Sequence, residues 1–277
     1  MQQTGAMKDD LKEIFKKSLA VLKSEGVVPF LRKGVGYFLY KIKLEKIKME
    51  MANFLLKHFS LKKLKNFSSF EPEEIWNFSY KFCLGAIRPN QIKEEFVELL
   101  KLFRDVNPRY ILEIGTAQGG SLFCFCKLAR EDAVIISIDL PGGKFGGGYP
   151  MWRVPIYKAF AKPKQKLILL RADSHKEETL EKARGILGGN LLDFLFIDGD
   201  HTYEGVMKDF EMYSGLVKDG GIIVFHDVAL HHRFPECHVP DFWTELCKRY
   251  PNQCREIIKD RNQGWGGIGI FIYRRRE

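Results

Sequence analysis

Tyr110-Ile-Leu-Glu-Ile-Gly-Thr-Ala-Gln-Gly-Gly-Ser121 decides how this chain is read. From Tyr110 to Ile114, large apolar residues surround one acid, Glu113, which is the pattern of a short strand buried on both faces. Glycine then stands at 115, 119 and 120, and an apolar helical pattern begins at Leu122. Strand, glycine-rich turn and helix in that order make a corner suited to a phosphate or a nucleoside. Glycine lets backbone approach a ligand, and the free N–H groups of the helix start face it. The spacing is Glu-x-Gly-x-x-x-Gly, not the Gly-x-Gly-x-x-Gly that cradles a dinucleotide pyrophosphate. A tight turn that binds nothing would look the same, so the rest of the chain has to choose.

Downstream the strand pattern recurs four times, each time with a polar tip. Ala133–Ile138 ends on Asp139, an acid placed to accept hydrogen bonds from both hydroxyls of a ribose. Leu167–Leu170 runs into Arg171-Ala-Asp173-Ser174, Leu192–Ile197 into Asp198-Gly-Asp200-His201, and Gly221–Phe225 into His226-Asp227. Five such strands separated by helix-length segments predict an open α/β sheet, mostly parallel, whose ligands sit outside the carboxyl ends. Ile257-Ile258 and Ile268–Tyr273 predict a closing antiparallel pair, which a six-stranded parallel dinucleotide sheet lacks.

Glu113-Ile-Gly-Thr-Ala-Gln-Gly119, Asp139, Asp173-Ser174, Asp198-Gly-Asp-His201 and Gly220-Gly-Ile-Ile-Val-Phe-His-Asp227 together resemble class I S-adenosylmethionine-dependent methyltransferases. Within that family it looks most like the branch that includes cephalosporin-hydroxylase-like proteins and sugar or macrolide O-methyltransferases, and the resemblance covers about residues 88 to 273. It implies a Rossmann-like methyltransferase sheet with a closing antiparallel strand. It also implies a cofactor site in which Gly115, Thr116 and Gly119 approach the methionine part, Glu113 orients the loop and Ser121 is a further contact. Asp139 would hold the ribose, Asp173 and Ser174 the adenine, and Asp198 would be a further cofactor-binding residue. Pro89 to Gln91 are implied to line its methionine end.

A second cluster, Asp198, Asp200, His201, His226 and Asp227, falls on two strand tips expected to be adjacent. In metal-dependent relatives the ligands fall where Asp198, His226 and Asp227 stand, so Mg²⁺ or Mn²⁺ is an implied second cofactor. A cation there would lower the pKa of an acceptor hydroxyl. His226 departs from the acid usual at its position; imidazole suits manganese or zinc better than magnesium. The rival reading makes His201 or His226 a general base with a pKa near neutral, and the resemblance implies Asp200 in the same role. The function read from these residues is O-methylation of a sugar-like or other small or glycan acceptor. A nicotinamide-dependent oxidoreductase and a non-catalytic membrane adaptor retaining the fold are the alternatives.

Composition adds a second theme. Residues 1–70 carry fifteen Lys and Arg against six acids, while the remaining 29 bases are matched by 29 acids, so the whole net charge of +9 lies in the first quarter. Residues 8–24 and about Leu39 to Leu64 read as lysine-rich amphipathic helices. We expect two parts: a basic helical extension, 1–85, and the methyltransferase domain, 86–277. The extension would meet an anionic membrane surface or another copy of the chain, or simply pack on the domain; no recognised nucleic-acid motif accompanies the charge.

No apolar run approaches the length needed to span a bilayer, nothing reads as a signal peptide, and the six cysteines lack metal-finger spacing. The expected setting is therefore the cytoplasm, peripheral to the membrane's inner face. Five glycines in the eight positions from Pro141 predict a loop beside Asp139 that acts as a lid.

Overall fold

Apolar runs that cannot be solvated on either face must stack side by side, and they do. The computed structural model describes residues 36–143, 147–232 and 234–275. Strands β1 (Tyr110–Ile114), β2 (Val134–Ile138), β3 (Lys166–Leu170), β4 (Leu192–Ile197), β5 (Val217–His226), β6 (Cys254–Ile257) and β7 (Ile268–Ile272) form one seven-stranded sheet, ordered β3-β2-β1-β4-β5-β7-β6. Strands β1 to β5 are parallel, and β7 is antiparallel to both β5 and β6. The expected closing pair is present, and the order reverses beside β1, opening a crevice at its carboxyl end.

The pleat divides the core in two. Phe194 and Phe196 point to one face, where they meet Phe96 and Phe103 of helix α4 (Lys93–Val106) and Phe125 of α5 (Gly120–Leu128). The rings meet edge to face, Phe103 on Phe194 at 4.8 Å and Phe125 on Phe196 at 5.3 Å. Such pairs add about 0.5–1.5 kcal/mol beyond area burial. Leu195 and Ile197 point the other way, toward α7 (Glu177–Leu187), α8 (Tyr203–Ser214) and α9 (Val239–Arg249).

On the first face the core extends into the residues before the sheet. Helices α1 (Gly36–Phe59), α2 (Leu61–Asn66) and α3 (Pro72–Lys81) add Ala52, Leu56, Leu64, Ile75 and Trp76 to the cluster that contains Phe123. The expected helix 8–24 lies outside the described residues.

Boundaries moved where local chemistry overrode periodicity. The expected single helix from Leu39 to Leu64 breaks at Ser60, whose hydroxyl bonds back to the Leu56 carbonyl and competes with the helix ladder. The helix expected over Met151 to Ala161 is a 3₁₀ turn, Met151–Arg153, followed by α6 (Val154–Lys158). It closes early on the tight bonds Ala159 N to Ile156 O and Phe160 N to Tyr157 O, both 3.0 Å. Strand β5 begins four residues before the expected Gly221, bending through Gly220 at φ +73° with a register shift against β4. Strand β6 runs from Cys254 to Ile257 instead of covering Ile257 and Ile258.

Candidate functional site

The glycine corner is built by steric necessity. Gly115 leaves β1 at φ +97°, and a Cβ there would lie 2.0 Å from the Asp198 carbonyl oxygen at the end of β4. Only glycine lets the two strand ends approach so closely. Gly119, at φ +83°, caps α5, and a Cβ on it would stand 2.8 Å from the Tyr157 ring. Between them Ala117 holds φ +44°, an uncommon conformation for a residue with a Cβ. It is pinned from two sides: its N–H donates to Asp139 Oδ2 at 2.8 Å, and its carbonyl accepts from Tyr157 Oη at 2.9 Å.

Asp139 stands at the tip of β2, as the sequence implies. Its other oxygen, Oδ1, accepts from Gly148 N at 2.7 Å, so the far end of the glycine-rich loop lies against this carboxylate. Residues 144–146 of that loop lie outside the described residues. Burial pushes the Asp139 carboxyl up to about 6, against the backbone amides of Gly148 and Ala117 that favour its charge.

Glu113 and Ser121 are turned inward. Glu113 is fully buried, accepting from Ser121 Oγ at 2.5 Å and Ser137 Oγ at 3.0 Å, and Ser137 also bonds Thr116 Oγ1. Burial pushes Glu113 up to about 8, so it is neutral at pH 7 and fastens β1, β2 and the start of α5 together without a charge.

The second cluster assembles on the tips of β4 and β5. His226 Nδ1 lies 3.1 Å from Asp198 Oδ1 and 3.3 Å from Asp227 Oδ2, bridging the two carboxylates. His201 Nδ1 lies 2.9 Å from Asp227 Oδ2, with its Nε2 3.8 Å from Asp198 Oδ1. Asp198 joins the cluster to the corner, because its carbonyl abuts Gly115 and its Oδ2 accepts from Gln91 Nε2 at 2.8 Å. Asp227 itself sits at φ +65°, a strained turn that ends β5.

The charge states differ from the near-neutral histidine expected of a resting base. Burial opposes a charged imidazole, but Asp227 and Asp198 outweigh it, lifting His201 to about 10 and His226 well above its ordinary value. For Asp227, burial is outweighed by His226, His201 and His231, which hold it well below the carboxylate range. Both expected histidine bases therefore carry their protons at pH 7 in this state.

Asp200, Asp173 and Ser174 belong to a neighbouring group. Asp200 Oδ1 accepts from Thr202 N at 2.9 Å and Thr202 Oγ1 at 2.8 Å, and Thr202 in turn caps α8 by accepting from Gly205 N. One Asp200 oxygen is thus engaged at the start of a helix. Asp173 Oδ1 accepts from His175 N at 2.9 Å, and the Ser174 carbonyl accepts from Tyr213 Oη at 2.9 Å. His175 Nε2 lies 3.2 Å from Asp209 Oδ1, a buried carboxylate of α8 that burial pushes up.

Three contributors escaped sequence reasoning. Cys237 is 9 % exposed and shares a donor cluster with His201 and Asp227. Burial opposes its ionisation, yet the adjacent His201 and His231 hold its thiol below the usual range. His231 lies with Nε2 3.0 Å from Asp227 Oδ1. Arg153 is buried and donates to the Ala86 carbonyl, to Tyr157 Oη and to Asn53 Oδ1. None had a sequence signal beyond residue type, since most of the partners are distant along the chain.

The corner also fits a ligand by what it leaves unpaired. Gln118 Oε1, Tyr149 Oη and Gln91 Oε1 are buried with no hydrogen-bond partner, as is His226 Nε2 in the cluster. Buried polar atoms of this kind are costly unless something completes them.

Comparison with known proteins agrees with this architecture. Residues 112–228 match the family model described as a methyltransferase domain. An uncharacterized protein of Sinorhizobium fredii is 28% identical over 155 residues, covering 54% of this chain and 16% of that protein. An uncharacterized protein of Acanthamoeba polyphaga mimivirus is 55% identical over 85 residues, 26% of this chain and 38% of that one. The chain thus spans well under half the length of these curated relatives. Among solved structures, one from Staphylococcus aureus, described as a candidate caffeoyl-CoA O-methyltransferase, superposes with a TM-score of 0.50 at 19% identity. The match covers 74% of this chain and 93% of that one, a likeness of fold.

Proposed function

We propose that this chain, whose residues 112–228 match the model of a methyltransferase domain, transfers a methyl group from S-adenosylmethionine to a hydroxyl oxygen of a sugar-like or other small acceptor. One observation carries the reading: Asp198 is shared between the glycine corner and the histidine–aspartate cluster. A nucleoside site and a proton-handling site are thereby held side by side on one sheet edge, as an in-line displacement requires.

The cofactor supplies an electrophilic methyl on a sulfonium. What this chain's residues do can be assigned around it. Gly115 and Gly119 keep the corner open for the amino-acid part, and Asp139, ionised above pH 6, accepts from the ribose hydroxyls. The neutral Glu113 network holds the turn in register. Gln91 fixes the Asp198 carboxylate facing the cluster.

Asp198, His226 and Asp227 offer ligand atoms within 4.8 Å of one another, and as two carboxylates with an imidazole they would hold Mn²⁺ more readily than Mg²⁺. Such an ion would acidify the acceptor hydroxyl. The lysine excess of residues 1–70 supports an anionic membrane surface as the place where the acceptor is met. Among the described residues no helix is long and apolar enough to cross a membrane.

The test is transfer of labelled methyl from S-adenosylmethionine to an envelope-glycan and glycolipid extract, with and without chelator. Chelator-sensitive label in a sugar fraction supports the metal-assisted form. Label that survives chelation removes the metal and leaves the transfer. Proven cofactor binding with no label in any hydroxyl fraction overturns the proposed acceptor class.

A further inference from the structure

Beyond β5 the chain turns back and lays Cys237 against the strand tips. His238 N donates to the His201 carbonyl at 2.8 Å, and Cys237 N donates to the Phe234 carbonyl at 3.0 Å, which anchors the end of this segment. As a result a sulfur, an imidazole nitrogen and a carboxylate oxygen, from His201, Asp227 and Cys237, lie within 4.8 Å of one another, all three residues buried. They come from the end of β4, the end of β5 and the returning segment, so no local spacing in the sequence announces them.

We propose that His201, Asp227 and Cys237 form a site for a thiophilic divalent ion, zinc by its chemistry, which shares only Asp227 with the Asp198, His226 and Asp227 set. Donor type decides the metal. Thiolate with imidazole selects zinc or a similar transition ion, whereas magnesium and calcium take oxygen ligands and avoid sulfur. Geometry agrees, since a tetrahedral ion with bonds of about 2.0–2.3 Å places its ligands roughly 3.3–3.8 Å apart, inside the observed limit. A second observation points the same way. His231 brings Nε2 to 3.0 Å from the other oxygen of Asp227, and its Nδ1 is buried with no hydrogen-bond partner. It is the neighbouring side chain able to complete the coordination of three protein donors.

The ion would tie the segment 227–238 to the tips of β4 and β5. Because Asp227 belongs to both donor sets, filling this site would also draw its carboxylate away from His226. The inference does not depend on methyl transfer: a chain that binds zinc here and methylates nothing would leave it intact.

The test uses the full-length chain, stripped with chelator, reloaded with zinc and freed of excess, with bound metal measured by emission spectroscopy. About one zinc per chain is expected for the unmutated protein and for Asp198→Asn, and none for Cys237→Ala or His201→Ala. Circular dichroism of the metal-free forms shows whether each variant folds. Cobalt loading of the unmutated chain gives a readout that needs no variant to fold: a thiolate-to-cobalt charge-transfer band is expected, retained in Cys247→Ser and lost in Cys237→Ser. Absence of zinc and of that band in the folded, unmutated chain overturns the proposal. So does zinc retained by Cys237→Ala but lost by Asp198→Asn, which would assign the ion to the other set.

Discussion

Replacing Glu113 by glutamine separates the neutral-carboxyl account of the corner from an ordinary charged one. Glu113 is fully buried and burial pushes it from 4.5 up to about 8, so between those values the folded chain holds a proton that the unfolded chain has released. Stability that depends on this group is complete below the unfolded value and is lost as pH rises through the folded one. At ~1.4 kcal/mol for each pH unit, the full penalty above pH 8 comes to about 5 kcal/mol. In Glu113→Gln the amide would mimic the protonated acid, its oxygen accepting from Ser121 and its nitrogen donating to Ser137. At pH 5 the variant should therefore match the parent within about 1 kcal/mol. Urea unfolding of both proteins at pH 5, 6.5 and 8 checks this, and the parent-to-variant difference cancels every other titrating group. The variant should gain on the parent steadily with pH. A difference that stays flat across that range would refute a neutral Glu113.

The other predictions concern the same corner and its supports. Gly115→Ala places a Cβ 2.0 Å from the Asp198 carbonyl at a φ of +97°, and should cost about 3 kcal/mol of stability or abolish cofactor binding, read by unfolding and calorimetry. Asp139→Ala should weaken S-adenosylmethionine binding about 10- to 100-fold through lost charge-assisted bonds. In the parent, affinity should fall as pH drops through about 6, where the Asp139 carboxylate takes up its proton; calorimetry at pH 5 and 7.5 tests both statements. Arg153→Ala leaves the Ala86 carbonyl and Asn53 without their donor and should destabilise by about 2–4 kcal/mol in urea unfolding. The full chain should sediment with anionic but not neutral vesicles and be released by salt, since the attraction proposed for residues 1–70 is screened within about 10 Å at 0.1 M.

What the sequence disclosed was whatever depends on one segment at a time. Runs such as Leu192–Ile197 must be buried on both faces, so strands, sheet and polar tips could be placed without coordinates, and Gly115 and Asp139 follow from strand ends. The contacts of Asp200 were overlooked although they are local. Two residues before Thr202, one of its oxygens accepts from that threonine's N–H and hydroxyl at the start of α8. Cys237 and His231 were not legible for the opposite reason. Their place depends on how the segment after β5 returns, a tertiary fact that no periodicity records. The histidine charge states were equally hidden. They follow from the Asp198 and Asp227 carboxylates that the fold brings against them, which only the folded geometry shows.

The strain in the corner gives the residues before the sheet a physical part in it. Ala117 at φ +44° would relax if it were free, and what holds it is a line of hydrogen bonds reaching outward. Asp139 takes its N–H and Tyr157 Oη donates to its carbonyl. Arg153 donates to that same Tyr157 oxygen at 3.1 Å and to Asn53 of α1 at 2.8 Å. Leu56 and Leu64, buried in the core that contains Phe123 of α5, keep α1 and α2 against the sheet while the line is made. The basic helices are therefore joined to the turn that begins α5, and a disturbance of α1 at Asn53 has a short, bonded route to the residue that positions Asp139. A partner gripping those helices would press on the corner through Arg153, which makes that arginine the residue through which to ask whether docking and cofactor binding communicate.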